Sequence, residues 1–484
     1  MTMKRPLVSL AAAFLSAAAF AANPYLPNWE HVPDGEPRVF GDRVYVYGSH
    51  DLAGGWDFCL DDYVTWSAPT NDLTAWRKEG VIFRRTDDPE NRDGRMPLYA
   101  PDCVRGVDGR YYLYYVADGS RHVGVAVSPT PGGRFAFLSY VRHADGRLLG
   151  DDEPFDGQFD PAVLVDGEEV YLYSGGCGLN NPKRHGAMGF RLKPDMVTLV
   201  TDGATYLVPG NMYSKGTGFE GHAFFEASSI RKIDGRYVFV YSSEAQHELC
   251  WAVSERPLGP YAYGGVLVSN ADVGIVGPAG KRAERAVAYG NNNHGGMAYL
   301  NGAWWIFYHR HTMNTMFSRQ GCAEKLARTP DGGFRQAELT STGLADRPFA
   351  AIGEHPAYLA CNLFVRDNHD VYLEDSEDHP RLAGDVLTHV IPNTTVGFKY
   401  LDCRGVKEIA LTTRGWANGE WHVRTELDGP VLAKIPCRRS AFWRTWSAPL
   451  EIPDGVHAIY LTYWGTRSRA GYPELKGFEL KGTR

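Results

Sequence analysis

Glu226 stands in the run Phe224-Phe225-Glu226-Ala227-Ser228-Ser229, a carboxyl group flanked on its N-terminal side by two phenylalanines. The charged form of such a group is poorly solvated, so its pKa is expected to rise. A carboxylic acid that keeps its proton near neutral pH can donate it to a departing oxygen. Four other ionisable residues stand in comparable settings. Glu36 precedes Pro37, with Asp34 two residues earlier, and Asp102 follows Ala100-Pro101. Asp160 lies in Phe159-Asp160-Pro161, and His294 ends the run Asn291-Asn292-Asn293.

What could bring these groups together is a repeat. Each of Glu36, Asp102, Asp160, Glu226 and His294 lies five to nine residues upstream of a turn glycine, at position 41, 109, 167, 235 or 302. An aromatic, β-branched run follows each glycine, for example Arg236-Tyr237-Val238-Phe239-Val240-Tyr241. Glycine supplies the positive φ that tight hairpin turns require. A recurrence of roughly 65 residues with several strands per unit predicts radial repetition. The expectation is therefore an all-β chain whose residues 22–345 form a five-bladed β-propeller. The first strand of each blade would line a central axis, and the five polar strand heads would meet at one end of it.

The rest of the chain fits this frame. Residues 346–360 are expected to be a linker. Residues 361–484 alternate apolar and polar in short runs, such as Ala458-Ile459-Tyr460-Leu461-Thr462-Tyr463, and predict a β-sandwich. Lys4 and Arg5, an apolar run from Leu7 to Phe20 and Ala19-Phe20-Ala21 predict a secretory signal over residues 1–21. A secreted or periplasmic protein follows, with no further membrane segment expected. The formal charge of −7 argues against nucleic acid as a partner, because phosphate binding needs a basic face. Aromatics make up 13% of the residues, which suits strands and sugar-stacking surfaces alike. Eight cysteines show no CxxC spacing; a pair such as Cys403 with Cys437 and free buried thiols are both open. Gly216-Thr217-Gly218-Phe219-Glu220-Gly221 fits GxGxxG but neither follows a strand nor opens a helix, so no dinucleotide is implied. His309-Arg310-His311 reads as blade-five structure.

From Asn23-Pro24-Tyr25-Leu26-Pro27 to about Gly343 the chain resembles glycoside hydrolase family 43, the inverting five-bladed propeller enzymes. The resemblance implies Glu226 as general acid and Asp160 as the residue that tunes and orients it. It also implies an acidic base in the first blade: Glu36 keeps the place before the proline, with Asp34 in reserve. Such a pair would activate water on one face of a sugar and protonate the leaving oxygen on the other. His294 would contact the sugar or, through water, a structural calcium near the axis, with no other cofactor required. Arg319 resembles the family's sugar-contacting arginine, a structural salt bridge being the other reading, and Asp102 would line the site. The C-terminal domain resembles carbohydrate-binding modules of family 6, with Trp416, Trp421, Trp443, Trp446 and Trp464 as stacking candidates. The implied activity is exo-acting α-L-arabinofuranosidase on plant polysaccharide, with no obligate protein partner. A β-xylosidase, a galactofuranosidase, an endo-arabinanase or a non-catalytic glycan-binding propeller are the alternatives.

Overall fold

All five glycine turns fold as expected, with φ of 64° at Gly41, 84° at Gly109, 66° at Gly167, 81° at Gly235 and 78° at Gly302. The structure is a computed structural model that describes residues 22–151, 157–176, 178–277, 281–366, 379–466 and 471–482. The leader expected at 1–21 lies outside the described residues, as does Cys177.

Blade one is the antiparallel sheet β1 (Glu36–Phe40), β2 (Arg43–Tyr47), β3 (Tyr63–Pro69) and β4 (Arg77–Phe83). Blade two is β5 (Asp102–Arg105), β6 (Tyr111–Tyr115), β7 (Gly124–Ser128) and β8 (Ala136–Tyr140). Blade three is β9 (Ala162–Asp166), β10 (Glu169–Ser174), β11 (Gly186–Leu192) and β12 (Thr205–Pro209). Blade four is β13 (Phe224–Ile233), β14 (Arg236–Ser243), β15 (Glu248–Ser254) and β16 (Ala262–Ser269). Blade five has β17 (Met297–Leu300), β18 (Ala303–His311) and β19 (Arg319–Leu326).

Period-two alternation explains how blades stack, because successive side chains leave a strand on opposite faces. Along β14, Tyr237, Phe239 and Tyr241 pack toward blade three beside Ala162, Leu164 and Tyr173. Val238 and Val240, between them, pack toward blade five beside Ile306 and Tyr308. Each remaining junction has its own apolar cluster, blades one with two, two with three, and five with one. That last cluster closes the ring. The chain start reinforces the closure: the Tyr25 N–H donates to Gly321 O at 3.2 Å, and the Asn23 side chain bonds both ways with the Ala323 backbone.

The second domain is a sandwich of two six-stranded sheets. One contains β20 (Phe349–Ala350), β22 (Asn362–Val365), β25 (Thr394–Asp402), β27 (Gly419–Arg424), β28 (Ala433–Cys437) and β30 (Val456–Gly465). The other contains β21 (Gly353–Pro356), β23 (Arg381–Ala383), β24 (Val386–Thr388), β26 (Val406–Gly415), β29 (Ser440–Pro449) and β31 (Glu474–Gly482). Residues 346–360, expected as a linker, supply β20 and β21, which pair with β25 and β31. Backbone donors there are satisfied by the sandwich rather than by water.

The two domains are joined by buried charge. Lys399 Nζ of β25 lies 3.0 Å from Asp272 Oδ2 and 2.9 Å from Glu338 Oε1 of the propeller. Val287 also packs into an apolar cluster with Phe364, Leu427, Ala458 and Tyr460. Of the five sandwich tryptophans, Trp421 is buried. Arg439 covers Trp416, Arg414 covers Trp443 and His422 stacks on Trp464, so these rings are faced by the protein's own side chains. All seven described cysteines are free, Cys403 and Cys437 among them.

Candidate active site

Strand pairing, rather than distance from the turn glycine, decides which residues are equivalent. The last paired residues before the hairpins are Phe40, Arg105, Asp166 and Leu300 in blades one, two, three and five. Six residues before each stand Asp34, Tyr99, Asp160 and His294. In blade four the corresponding strand is bulged between Glu226 and Ser229, and Glu226 takes the place. All five line one cavity of about 280 Å³, together with Phe58, Cys59, Phe159, Gln246, Met316 and Arg319 among others.

Glu36 and Asp102 are not in this cavity. Glu36 opens β1, two residues after Asp34. Its Oε1 sits 2.6 Å from Arg231 Nη2 and 3.4 Å from Arg38 Nη2, and it accepts a bond from Ser229 Oγ at 3.2 Å. Asp102 is held by Arg38 through both oxygens and by the Val163 N–H at 2.8 Å. Two carboxylates and two guanidinium groups thus neutralise one another within the core of the propeller, where an unpaired charge would be costly. A Cβ at Gly296 would lie 2.1 Å from Glu36 Oε2, so the network is close-packed. The expectation of Glu36 as base, and of Asp102 as a lining residue, does not match this placement. Both side chains are committed to structural charge pairs.

Asp34 occupies the place instead. It adopts a left-handed backbone with φ of 57°, a conformation that Asp tolerates better than most residues. Arg319 Nη1 donates to Asp34 Oδ1 at 2.9 Å, and His309 Nδ1 lies 3.2 Å from the same oxygen. Burial alone would raise this carboxyl, but Arg319 and His309 more than offset it and hold Asp34 well below the usual carboxylate range. Asp34 is therefore an anion at any working pH. Arg319 is itself fixed by Asp51, its Nε and Nη2 donating to the two oxygens at 2.9 Å each, and its plane lies 5.0 Å from the Phe58 ring centre. With a further contact to Cys59 Sγ, four of its five N–H groups are engaged. Asp51 and His309 are site residues that spacing did not reveal. His309, read from the sequence as blade structure, is a contact of Asp34.

Asp160 reaches the blade-four bulge at the residue after Glu226. Ala227, at φ of 69°, turns its N–H toward Asp160 Oδ2 at 3.1 Å. A non-glycine residue in that region stores strain, and such strain gathers at functional sites. The bulge re-aims Glu226 into the cavity. Its tight fit shows at Gly176, where a Cβ would lie 3.2 Å from Glu226 Cβ.

His294 Nδ1 lies 3.3 Å from Asp160 Oδ2. Burial opposes a charge on this ring, but Asp160, with Asp34 and Glu226 beyond, lifts its pKa to about 9. Calcium takes six to eight oxygen ligands, so at this end of the axis the His294 ring would sit outside the ion's direct ligands and reach it through water. A group whose pKa rises on folding adds stability that is complete below its unfolded value, near 6.5, and is lost as pH climbs through the folded value. The stability difference between the wild type and His294→Gln is expected to shrink by up to roughly 3 kcal/mol between pH 6.5 and 9. Parallel denaturant titrations of both proteins across that range check it.

Residues 33–334 match glycosyl hydrolases family 43. A xylosidase/arabinosidase of Thermoclostridium stercorarium is 50% identical over 472 residues, covering 95% of this chain and 98% of that protein. An arabinoxylan arabinofuranohydrolase of Paenibacillus polymyxa is 24% identical over 487 residues, covering 90% of this chain and 70% of the relative. Among solved structures, the family 43 arabinoxylan arabinofuranohydrolase from Bacillus subtilis, in complex with cellotetraose, has a TM-score of 0.52 at 20% identity. It covers 96% of this chain and 99% of its own, so the likeness of fold extends over both domains. With this match spanning most of its propeller, the chain belongs to glycosyl hydrolases family 43 and hydrolyses glycosidic bonds with inversion.

Proposed function

We propose that the protein is an exported, exo-acting pentosidase that removes α-L-arabinofuranosyl groups from plant polysaccharide or its fragments. The observation that carries the reading is the single cavity of about 280 Å³ holding Asp34, Asp160 and Glu226. It lies at the small end of ligand sites, suited to one sugar ring at a time rather than a run of them. Asp34, ionised, takes a proton from the attacking water. Glu226 gives its proton to the departing glycosidic oxygen. Asp160, held by the Ala227 N–H and His294, keeps Glu226 oriented, and Arg319 keeps Asp34 in place. Export rests on the Lys4-Arg5 and apolar leader pattern of residues 1–21.

β-Xylosidase activity is the second reading, because the relative at 50% identity is named for both xylose and arabinose. A panel of nitrophenyl α-L-arabinofuranoside, β-D-xylopyranoside and β-D-galactofuranoside, with arabinoxylan and linear arabinan, separates these. Release of single arabinose units from arabinoxylan is the expected result, the first-formed anomer being inverted by NMR. Xylose release at the higher kcat/KM would move the assignment to β-xylosidase. Binding without turnover of any member would sink the enzymatic reading.

A further inference from the structure

We propose that His222, Glu248 and Cys250 form a zinc site on blade four, separate from the catalytic cavity. His222 lies on the approach to β13, while Glu248 and Cys250 stand on one face of β15, two residues apart. His222 Nδ1 and Glu248 Oε2 are 3.0 Å apart, Cys250 Sγ and Nδ1 3.9 Å, and Cys250 Sγ and Oε2 3.7 Å. The circle through these three atoms has a radius of about 2.1 Å, against zinc bonds of roughly 2.0–2.3 Å to nitrogen, oxygen and sulfur. One ion near its centre therefore reaches all three donors with only small side-chain adjustment.

The surroundings favour this use over a plain ion pair. The Tyr241 hydroxyl donates to the His222 carbonyl at 2.8 Å, and the Tyr263 ring stacks on the imidazole at 4.8 Å and 14°. Ser243 Oγ donates to Glu248 Oε2 at 2.8 Å. Such contacts orient ligands and are part of a working metal site. The Cys250 side chain is buried while the His222 side chain is 33% exposed, so the fourth position opens toward solvent and takes a water. A soft thiolate with an imidazole and a carboxylate selects zinc over calcium or magnesium. Binding replaces the thiol proton of Cys250, which leaves to solvent, with a Zn–S bond. The neutral imidazole binds through Nδ1 and carries its proton on Nε2, and Glu248 binds as the anion.

The site sits where it can brace the catalytic acid. His222 is four residues before Glu226, Phe224 pairs with Ser243, and Gln246 of the cavity is two residues before Glu248. A bound ion ties the start of β13 to β15 and stabilises the blade.

The test uses the purified full-length chain stripped with a chelator. Zinc is titrated calorimetrically, and cobalt(II) is followed by absorption. One equivalent of zinc is expected to bind and to raise Tm. Cobalt is expected to give tetrahedral visible bands and a near-ultraviolet thiolate charge-transfer band. Cys250→Ser removes the charge-transfer band and weakens zinc binding at least about tenfold. His222→Gln, at a part-exposed position, weakens it similarly and covers the case in which the cysteine variant fails to fold. The proposal is overturned if wild type binds no zinc, if both variants bind as tightly as wild type, or if the thiolate band survives in Cys250→Ser.

Discussion

Asp34→Asn is expected to lower kcat by about three orders of magnitude, the middle of the range for loss of a positioned general base. The loss should be equal on nitrophenyl glycosides and natural linkages, because water must be activated whatever group departs. The amide keeps the size of the carboxyl, and Arg319 keeps both bonds to Asp51, so folding should survive. Glu36→Gln should behave in the opposite way. It leaves Arg231 without its carboxylate partner in the core, while Arg38 keeps Asp102, and stranding a buried charge in this way typically costs about 3–5 kcal/mol of stability. The folded fraction should turn over within a few-fold of wild type. Kinetics and denaturant unfolding on both variants decide between the two acids. An active Asp34→Asn beside an inactive, fully stable Glu36→Gln would return the base to Glu36.

Why the sequence pointed to Glu36, which lies outside the cavity, rather than to Asp34, which lines it, is a matter of register. Turn glycines are legible because only a residue tolerant of positive φ closes such hairpins, and all five turned where expected. Pairing is less legible. Blades one, three, four and five close with two unpaired residues, as between Phe40 and Arg43, but blade two leaves 106–110 unpaired. Counted from the glycine, Asp102 is therefore level with Asp34 and Asp160. Counted from the last paired residue, Tyr99 is. Pro37 drew the choice to Glu36, whereas Asp34-Gly35 was the informative pair: an Asp before Gly is suited to the left-handed conformation Asp34 adopts. Asp51 and His309 carry no comparable signal. Arg319 and Asp51 are 268 positions apart, and only ring closure makes them neighbours. The segment at 349–356 was misread because two-residue and four-residue strands are too short to show alternation.

Glu226→Gln is the second decisive substitution, and its signature differs from that of Asp34→Asn. Gln keeps the shape of the side chain and the Ala227 bulge beside it, but cannot deliver a proton to the leaving oxygen. On a natural arabinofuranosyl linkage, whose leaving alkoxide is strongly basic, kcat should fall by about three orders of magnitude. On a dinitrophenyl glycoside the leaving group departs without a proton, so the loss should be far smaller. The ratio of the two losses is the diagnostic quantity. Damage to the pocket depresses both substrates alike, and so does loss of the base. Only removal of the proton donor separates them by leaving-group acidity. A ratio near unity would mean that Glu226 shapes the cavity and that the proton comes from elsewhere. Asp160, which accepts the Ala227 N–H at 3.1 Å, would then be the remaining carboxyl at the bulge.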